Sequence, residues 1–419
     1  MNRAKYKILF LCLFTATFIS GCRYLSITPE DDTVALSKGK ERMLVYNCAV
    51  VKGRVVSSDV VKNPTLLVAY PLTGDDSSLS DYVVLNSTSP FMLYLSEGRY
   101  HLYAITDFNN DGVYTEKEVS GYFGFPSAPR EISLRKEDLV KGIVINTSRE
   151  NSKKISFPQP LNIDERQAIS QLTYSGQVTK IYDERFSLEN ASAGWWNPSV
   201  FMRAFGARIY FTQEYDPEKI PVLFVHGAEG SPQNWVYFFM RLDHRRYQPW
   251  FFYYPSGIHL SLASHLLYDE LMELHAQYGF KKMCIVAHSI GGLVTRSLLT
   301  RYKFKDNFVK VYVTLATPWS GFEMADVSQR RKHKSLPSWM DIGTQSVFIR
   351  RTLNAKLPGT ISYYLFYGKE DDVSAGRALD DRVLLRAKDN FGFDCNHDTI
   401  LSDRLVFRKF SEILEKEFQ

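Results

Sequence analysis

Met283-Cys284-Ile285-Val286-Ala287-His288-Ser289-Ile290-Gly291-Gly292-Leu293-Val294-Thr295-Arg296-Ser297 decides the architecture. Met283 to Ala287 is continuously apolar and partly β-branched, the pattern of a strand covered on both faces. From Gly292 the period changes, and Leu293, Arg296, Ser297 and Thr300 suit a helix packed on the same sheet. A strand that becomes a helix within about two residues holds its turn residue in a strained conformation and needs small neighbours on either side. Ala287 and Gly291 supply them, so the Ser289 hydroxyl is expected at the carboxyl end of the sheet, where open α/β sheets bind ligands.

Outward from this turn, the order of elements is legible from Ala207 to the last residue. Strands are expected at Ala207–Gln213, Ile220–Val225, Gln248–Tyr254, Met283–Ala287, Val309–Leu315 and Ile361–Tyr367. Helices are expected at Ser231–Leu242, Leu260–Tyr278, after Gly291, and at Arg404–Phe418. Such alternation predicts a mostly parallel sheet with helices on both faces over 207–419.

The preceding part reads differently. Short alternating strands are expected at Met43–Val51, Gly53–Val56, Thr65–Tyr70, Tyr82–Leu85, Phe91–Leu95, Tyr100–Thr106 and Leu139–Asn146. They predict a small antiparallel β-sandwich over 43–148. Residues 149–206 form a linker and lead-in. Within them Asn162–Gln171 reads as helix and Ala191 to Gly194 as loop, with Trp195 and Trp196 as core or junction residues. Asp107, Asn109 and Asp111 place oxygens at the first, third and fifth positions of a loop with Gly112 sixth and Glu118 twelfth. That spacing suits a structural calcium ion, and it equally suits an Asn/Asp/Gly turn that needs none.

Arg3, Lys5 and Lys7 precede an apolar run from Ile8 to Ile19, which reads as a signal-peptide core ending near residue 21. Ile19-Ser20-Gly21-Cys22 resembles a bacterial lipobox, which implies lipidation at Cys22, a tether over 22–42 and a membrane-surface location. Arg23 in place of an aspartate points to the outer membrane of a bacterial envelope. A formal charge of +5 on 419 residues gives no reason to expect a nucleic-acid partner. Of five cysteines, only Cys48 and Cys395 are left to pair, and their spacing indicates no disulfide.

A serine hydroxyl needs a base and a group that orients the base. Where the serine sits on a strand-to-helix turn, the acid and then the histidine follow it along the chain. Only His333 and His397 follow Ser289. His333 lies in a basic loop ahead of the next strand, whereas His397 lies just before the final helix, so His397 is the expected base. Asp371, directly after a strand, is one candidate acid. The backbone N–H of Ile290, opening the helix, is one expected oxyanion donor.

Pro221-Val222-Leu223-Phe224-Val225-His226-Gly227, Ala287 to Gly292, Thr317-Pro318-Trp319-Ser320-Gly321 and Asn396-His397-Asp398 together resemble the α/β-hydrolase superfamily, in particular bacterial lipase-like and PGAP1-like serine hydrolases. The resemblance covers about 207–419, while Phe91 to Asp107 resembles carboxypeptidase-regulatory-like, Ig-like β modules. Ala287 stands where Gly is usual, Trp319 where His is common, and Arg382 where Gly commonly follows the acid. The resemblance implies an α/β-hydrolase fold, a second oxyanion donor at the N–H of Ala228, a structural role for His226 and a lid-like insertion over 322–358. Asp380-Asp381-Arg382-Val383 resembles the acid-bearing segment of many bacterial lipases, which favours Asp381 over Asp371 and leaves Asp371 and Asp372 as solvated loop charges. It implies hydrolysis of carboxylic esters, lipid or other acyl esters, with no cofactor required. The same residues would serve an acyltransferase or amidase, or a hydrolase-fold binding protein without turnover.

Overall fold

The computed structural model describes residues 47–59, 63–72, 81–86, 88–125, 128–151, 174–323, 325–326, 336–373 and 386–419. The expected signal peptide, Cys22, the tether, the helix at Asn162–Gln171 and Asp381 lie outside these residues.

The N-terminal unit holds β1 (Ala49–Ser57), β2 (Pro64–Pro71), β3 (Asp81–Asn86), β4 (Ser89–Leu95), β5 (Gly98–Thr106), β6 (Val119–Tyr122), β7 (Gly124–Phe125), β8 (Ala128–Pro129), β9 (Ile132–Leu134) and β10 (Leu139–Thr147). One sheet runs β10-β1-β4, a second runs β3-β2-β5-β6 with β9 on β5, and β7 pairs with β8. Alternation sorts the side chains. Val51, Leu67, Phe91, Leu102 and Ile145 fill the space between the two larger sheets. Leu66, Val68, Tyr103 and Ile105 face the opposite side of the second sheet, with Tyr114 and Val119.

Two expectations are corrected here. The sandwich is not purely antiparallel, because β1 and β10 pair in parallel. Gly53 does not divide two strands, since β1 runs through it. The register shifts between Val51 and Gly53, where a Cβ would come within 2.3 Å of the Ile143 carbonyl oxygen. The glycine marks a bulge and a close approach rather than a turn.

The larger unit carries β11 (Gln177–Val178), β12 (Arg208–Phe211), β13 (Ile220–Val225), β14 (Tyr247–Tyr253), β15 (Met283–His288), β16 (Val309–Leu315), β17 (Ser362–Gly368) and β18 (Asp389–Phe393). They form one sheet ordered β11-β12-β14-β13-β15-β16-β17-β18. β12 is antiparallel to β14, and every other adjacent pair is parallel. Its helices are α1 (Leu188–Trp196), α2 (Pro198–Phe205), α3 (Val236–Phe239), α4 (Leu260–Tyr278), α5 (Ile290–Arg301), α6 (Pro337–Ile342), α7 (Val347–Asn354) and α8 (Arg404–Glu417).

Strand β15 explains why an unbroken apolar run suits this position. Met283, Ile285 and Ala287 enter the cluster under α4 and α5, while Cys284 and Val286 enter the one under α3 and α8. Ala191 to Gly194, expected as loop, is helical in α1, capped by Ser187, whose hydroxyl accepts from the Asn190 N–H. The helix expected at Ser231–Leu242 is shorter: a 3-10 turn at Pro232–Trp235 leads into the four residues of α3.

The two units share a core. Cys48, Val50 and Tyr94 from the sandwich fall in the same buried cluster as Trp195, Met202 and Ile209. Beside it lies a charge network. Lys52 of β1 meets Asp269, Glu270 and Glu273 of α4 at 2.5, 2.9 and 3.0 Å. Lys141 of β10 also reaches Asp269, and Arg208 reaches Glu270 at 2.8 Å. Burial works against the charged Lys52, but Glu270, Asp269 and Glu273 outweigh it and raise its pKa.

Candidate active site

Ser289 sits between β15 and α5 at φ 53 and ψ −131, a strained conformation for a residue with a side chain. Its N–H donates to the Leu315 carbonyl at 2.9 Å, which fixes the turn against β16. The small residues expected around it are explained by neighbouring backbone. A Cβ on Gly291 would lie 2.5 Å from the His226 carbonyl oxygen, and one on Gly227 would lie 2.7 Å from the Ser289 Cβ. The end of β13 is thus pressed against the serine, which puts the loop after β13 at its side.

His397 lies between β18 and a 3-10 turn at Thr399–Leu401. Ser289 Oγ and His397 Nε2 are 3.0 Å apart, and His397 Nδ1 is 3.1 Å from Asp371 Oδ2. With the carboxylate as acceptor, Nδ1 carries the proton and Nε2 accepts from the serine hydroxyl. All three residues are buried. Asp371 follows β17 by three residues, and its Oδ1 accepts from the Val373 N–H at 3.0 Å. The expectation that Asp371 is a solvated loop charge is therefore corrected. Asp372 beside it is exposed. Asp381, the acid favoured from the sequence, lies outside the described residues, and the carboxylate on His397 is Asp371.

Ala228 and Ile290 both line the pocket that contains Ser289 and His397. Ile290 is the first residue of α5, so its N–H is among those a helix leaves without an internal acceptor. His226 holds the loop carrying Ala228. Its Nδ1–H donates to the Gly227 carbonyl at 2.8 Å, and its ring stacks on Tyr254 at 4.5 Å. The Tyr254 hydroxyl donates to the His226 carbonyl at 3.1 Å. Burial lowers the His226 pKa to about 4, which keeps the ring neutral. Next along the loop, Glu229 has φ 50, so the backbone is strained on this side of the serine as well.

His288 has a place that its sequence context did not reveal. Its Nε2–H donates to the His397 carbonyl oxygen at 2.9 Å, and the two rings lie 4.8 Å apart. Burial, with the neighbouring His397, lowers its pKa to about 3. A neutral donor thus tethers the backbone of the histidine that meets the serine. The usable signal was its position, one residue before the turn, at the end of a buried strand.

Trp195, Phe322, Trp339 and Ile342 line the same pocket, which has a volume of about 70 Å³. Trp339 and Ile342 come from the segment expected as a lid, and Asp341 anchors it. The Asp341 carboxylate accepts from the Leu260 N–H at 2.7 Å and lies 3.1 Å from His259 Nδ1.

The fold is that of the α/β-hydrolases. The strand order with its single antiparallel pair, and the serine on the turn after β15, carry that assignment. The profile of a PGAP1-like alpha/beta domain matches residues 260–335, a span that includes α4, β15 and α5. No curated protein matches the chain. Among solved structures, the mature lipase BlEst2 of Bacillus licheniformis is similar at 21% identity, over 48% of this chain and 94% of that one, with a TM-score of 0.38. The Paleococcus ferrophilus monoacylglycerol lipase is 14% identical over 50% of this chain and 99% of its own, at 0.38. Est1E from Butyrivibrio proteoclasticus is 12% identical over 48% and 90%, also at 0.38.

The calcium-type loop is held by its own backbone. Asp107 accepts from the Asp111 and Gly112 N–H groups at 3.2 and 2.9 Å, and Asp111 accepts from Val113 at 2.8 Å. Asn109 Oδ1 accepts from Asp111 at 3.2 Å, and Glu118 accepts from Phe108 and Thr115, both at 3.1 Å. Among the described residues, the carboxylates that converge closely enough to share one ion are Asp269, Glu270 and Glu273. Those are the groups that Lys52, Lys141 and Arg208 neutralise. Cys48, Cys284 and Cys395 are free, buried thiols. Among the described residues no helix is long and apolar enough to cross a membrane.

Proposed function

We propose that this protein hydrolyses carboxylic esters, with Ser289 as nucleophile, His397 as general base and acid, and Asp371 as the group that orients the base. The observation that carries the reading is the hydrogen-bonded chain from Ser289 Oγ through His397 to Asp371. In the first half-reaction Oγ attacks the ester carbonyl carbon while Nε2 takes its proton. The carbonyl oxygen, now an anion, is held by the Ala228 and Ile290 N–H groups. As the tetrahedral centre collapses, the imidazolium returns the proton to the departing alkoxide and an acyl-serine is left. Water then repeats the sequence and releases the carboxylic acid. Asp371 stays ionised and stabilises the imidazolium that forms twice per cycle.

A lipid anchor at Cys22 facing the periplasm or exterior of a bacterial envelope belongs to the same proposal, on the strength of Ile19-Ser20-Gly21-Cys22 alone. Fractionation checks it: the intact protein should sediment with membranes and Cys22→Ala should not. Catalysis is tested with p-nitrophenyl esters and a fluorophosphonate probe. The wild type is expected to turn over and to be labelled. Ser289→Ala is expected to lose labelling and all but roughly one part in 10⁵ or 10⁶ of kcat. A wild type that is neither active nor labelled would sink the proposal.

A further inference from the structure

We infer that Trp195 walls the acyl side of this site and limits the length of the acyl group it accepts, in favour of short chains. The inference rests on the ester-hydrolase reading and names the substrate class of that same site.

The space beside Ser289 amounts to about 70 Å³. The geometry of the reaction divides this space. His397 Nε2 must reach both the serine oxygen and the departing alkoxide, so the alcohol leaves on the side of His397. What remains for the acyl group is the apolar wall of Trp195, Phe322, Trp339 and Ile342.

That wall is braced and closed by packing. Trp195 and Trp339 meet edge to face with ring centroids 6.0 Å apart, and Phe322 lies 5.6 Å from Trp339. Trp195 is 2% exposed and Trp339 8%. The Gly257 N–H donates to the Gly194 carbonyl at 3.0 Å, and the Gly257 carbonyl accepts from the Ser338 N–H at 3.3 Å. One residue therefore ties the helix bearing Trp195 to the helix bearing Trp339. A Cβ there would lie 2.1 Å from the Trp195 carbonyl oxygen, so the tie depends on glycine. Trp195 comes from the segment between β11 and β12, which makes part of the expected lead-in a wall of this pocket.

The test measures kcat/KM on p-nitrophenyl acetate, butyrate, octanoate and palmitate for the wild type, Trp195→Phe and Trp195→Ala. The wild type is expected to peak at acetate or butyrate and to fall about tenfold or more by octanoate. Trp195→Ala is expected to raise the octanoate-to-butyrate ratio about tenfold, with Trp195→Phe in between. A wild type at least as active on octanoate as on butyrate overturns the length limit and leaves the ester reading standing. A uniform loss across all four esters in both variants, with unchanged circular dichroism, overturns the role of Trp195. No hydrolysis of any ester and no fluorophosphonate labelling of the wild type overturns the ester reading itself.

Discussion

The Asp107–Glu118 loop and the Asp371–His397 pair are built from the same kind of group and put it to different ends. In the loop every carboxylate oxygen described above accepts from a group at most ten residues away in sequence. Asp371 gives one oxygen to the N–H of Val373, two residues on, and the other reaches a histidine 26 residues away. The first arrangement fixes a turn. The second transmits the orientation of one side chain to another across the end of a sheet. What sets Asp371 apart is that its second oxygen meets a histidine whose other nitrogen faces a serine hydroxyl.

The contrast breaks most sharply under substitution at both ends. Asp371→Asn is expected to lower kcat by roughly ten-thousandfold, because an amide would hold His397 in the wrong tautomer. Asp107→Asn is expected to leave kcat within about twofold of wild type and to lower Tm by a few degrees, as its bonds to the Asp111 and Gly112 N–H groups weaken by about 1–2 kcal/mol. Equal loss of activity in the two variants would erase the distinction. Adding calcium or a chelator is expected to leave Tm unmoved; a rise with calcium would return the ion to the loop.

His288 sharpens the comparison, since it acts on His397 from the backbone side. His288→Phe keeps a ring and removes the donor to the His397 carbonyl. The expected outcome is a roughly tenfold fall in kcat with a displaced acid limb of the pH–rate profile, at unchanged KM for a short ester. A variant that loses stability alone, with wild-type kcat and pH profile, would assign His288 to packing.

The smallest effect concerns pH and stability. His226 and His288 take up protons near pH 6.5 when unfolded, but in the folded chain only near about 4 and about 3. Between those values the unfolded state binds more protons, so stability rises with pH and is lost as pH falls below about 6.5. Asp81, pushed up to about 6 by burial, opposes this below pH 6, where the folded form holds a proton that the unfolded chain has released. Two histidines against one carboxyl leave a net loss on the order of 1 kcal/mol per pH unit toward pH 5. Urea melts at pH 7, 6 and 5 would show it, and His288→Gln should flatten the slope. A profile already flat in the wild type would refute the accounting.

Much of the fold was legible because periodicity was strong where burial was complete. Ile220–Val225, Leu260–Tyr278 and Val309–Leu315 were placed to the residue. Ser289 and His397, which the fold brings within 3.0 Å of each other, were singled out because the turn and the chain order constrain them. The carboxylate that meets His397 was not singled out: Asp371 and Asp381 both follow Ser289 and precede His397, and no local pattern tells that Asp371 folds inward. α1 was misread because Ala191, Ser192, Ala193 and Gly194 have little apolar bulk, and its helix is held by a serine cap and by Trp195 packing against distant residues. Strand β18, with Asp389, Asn390 and Gly392, carries turn-type residues and is kept extended by pairing with β17. The parallel pairing of β1 and β10 joins residues some 90 positions apart, beyond the reach of any short window.

Helix α4 has a consequence for modularity. Asp269 and Glu270 are 0% exposed, and two of the three cations that balance this helix, Lys52 and Lys141, come from the sandwich. A chain cut back to the hydrolase strands would keep Arg208 and lose both lysines. The helix would then lose these counter-ions, and the apolar cluster that Cys48, Val50 and Tyr94 complete would be uncovered. The N-terminal domain is therefore a part of the protein's folding unit, and swapping or deleting it would remove counter-ions and core side chains as well as a spacer.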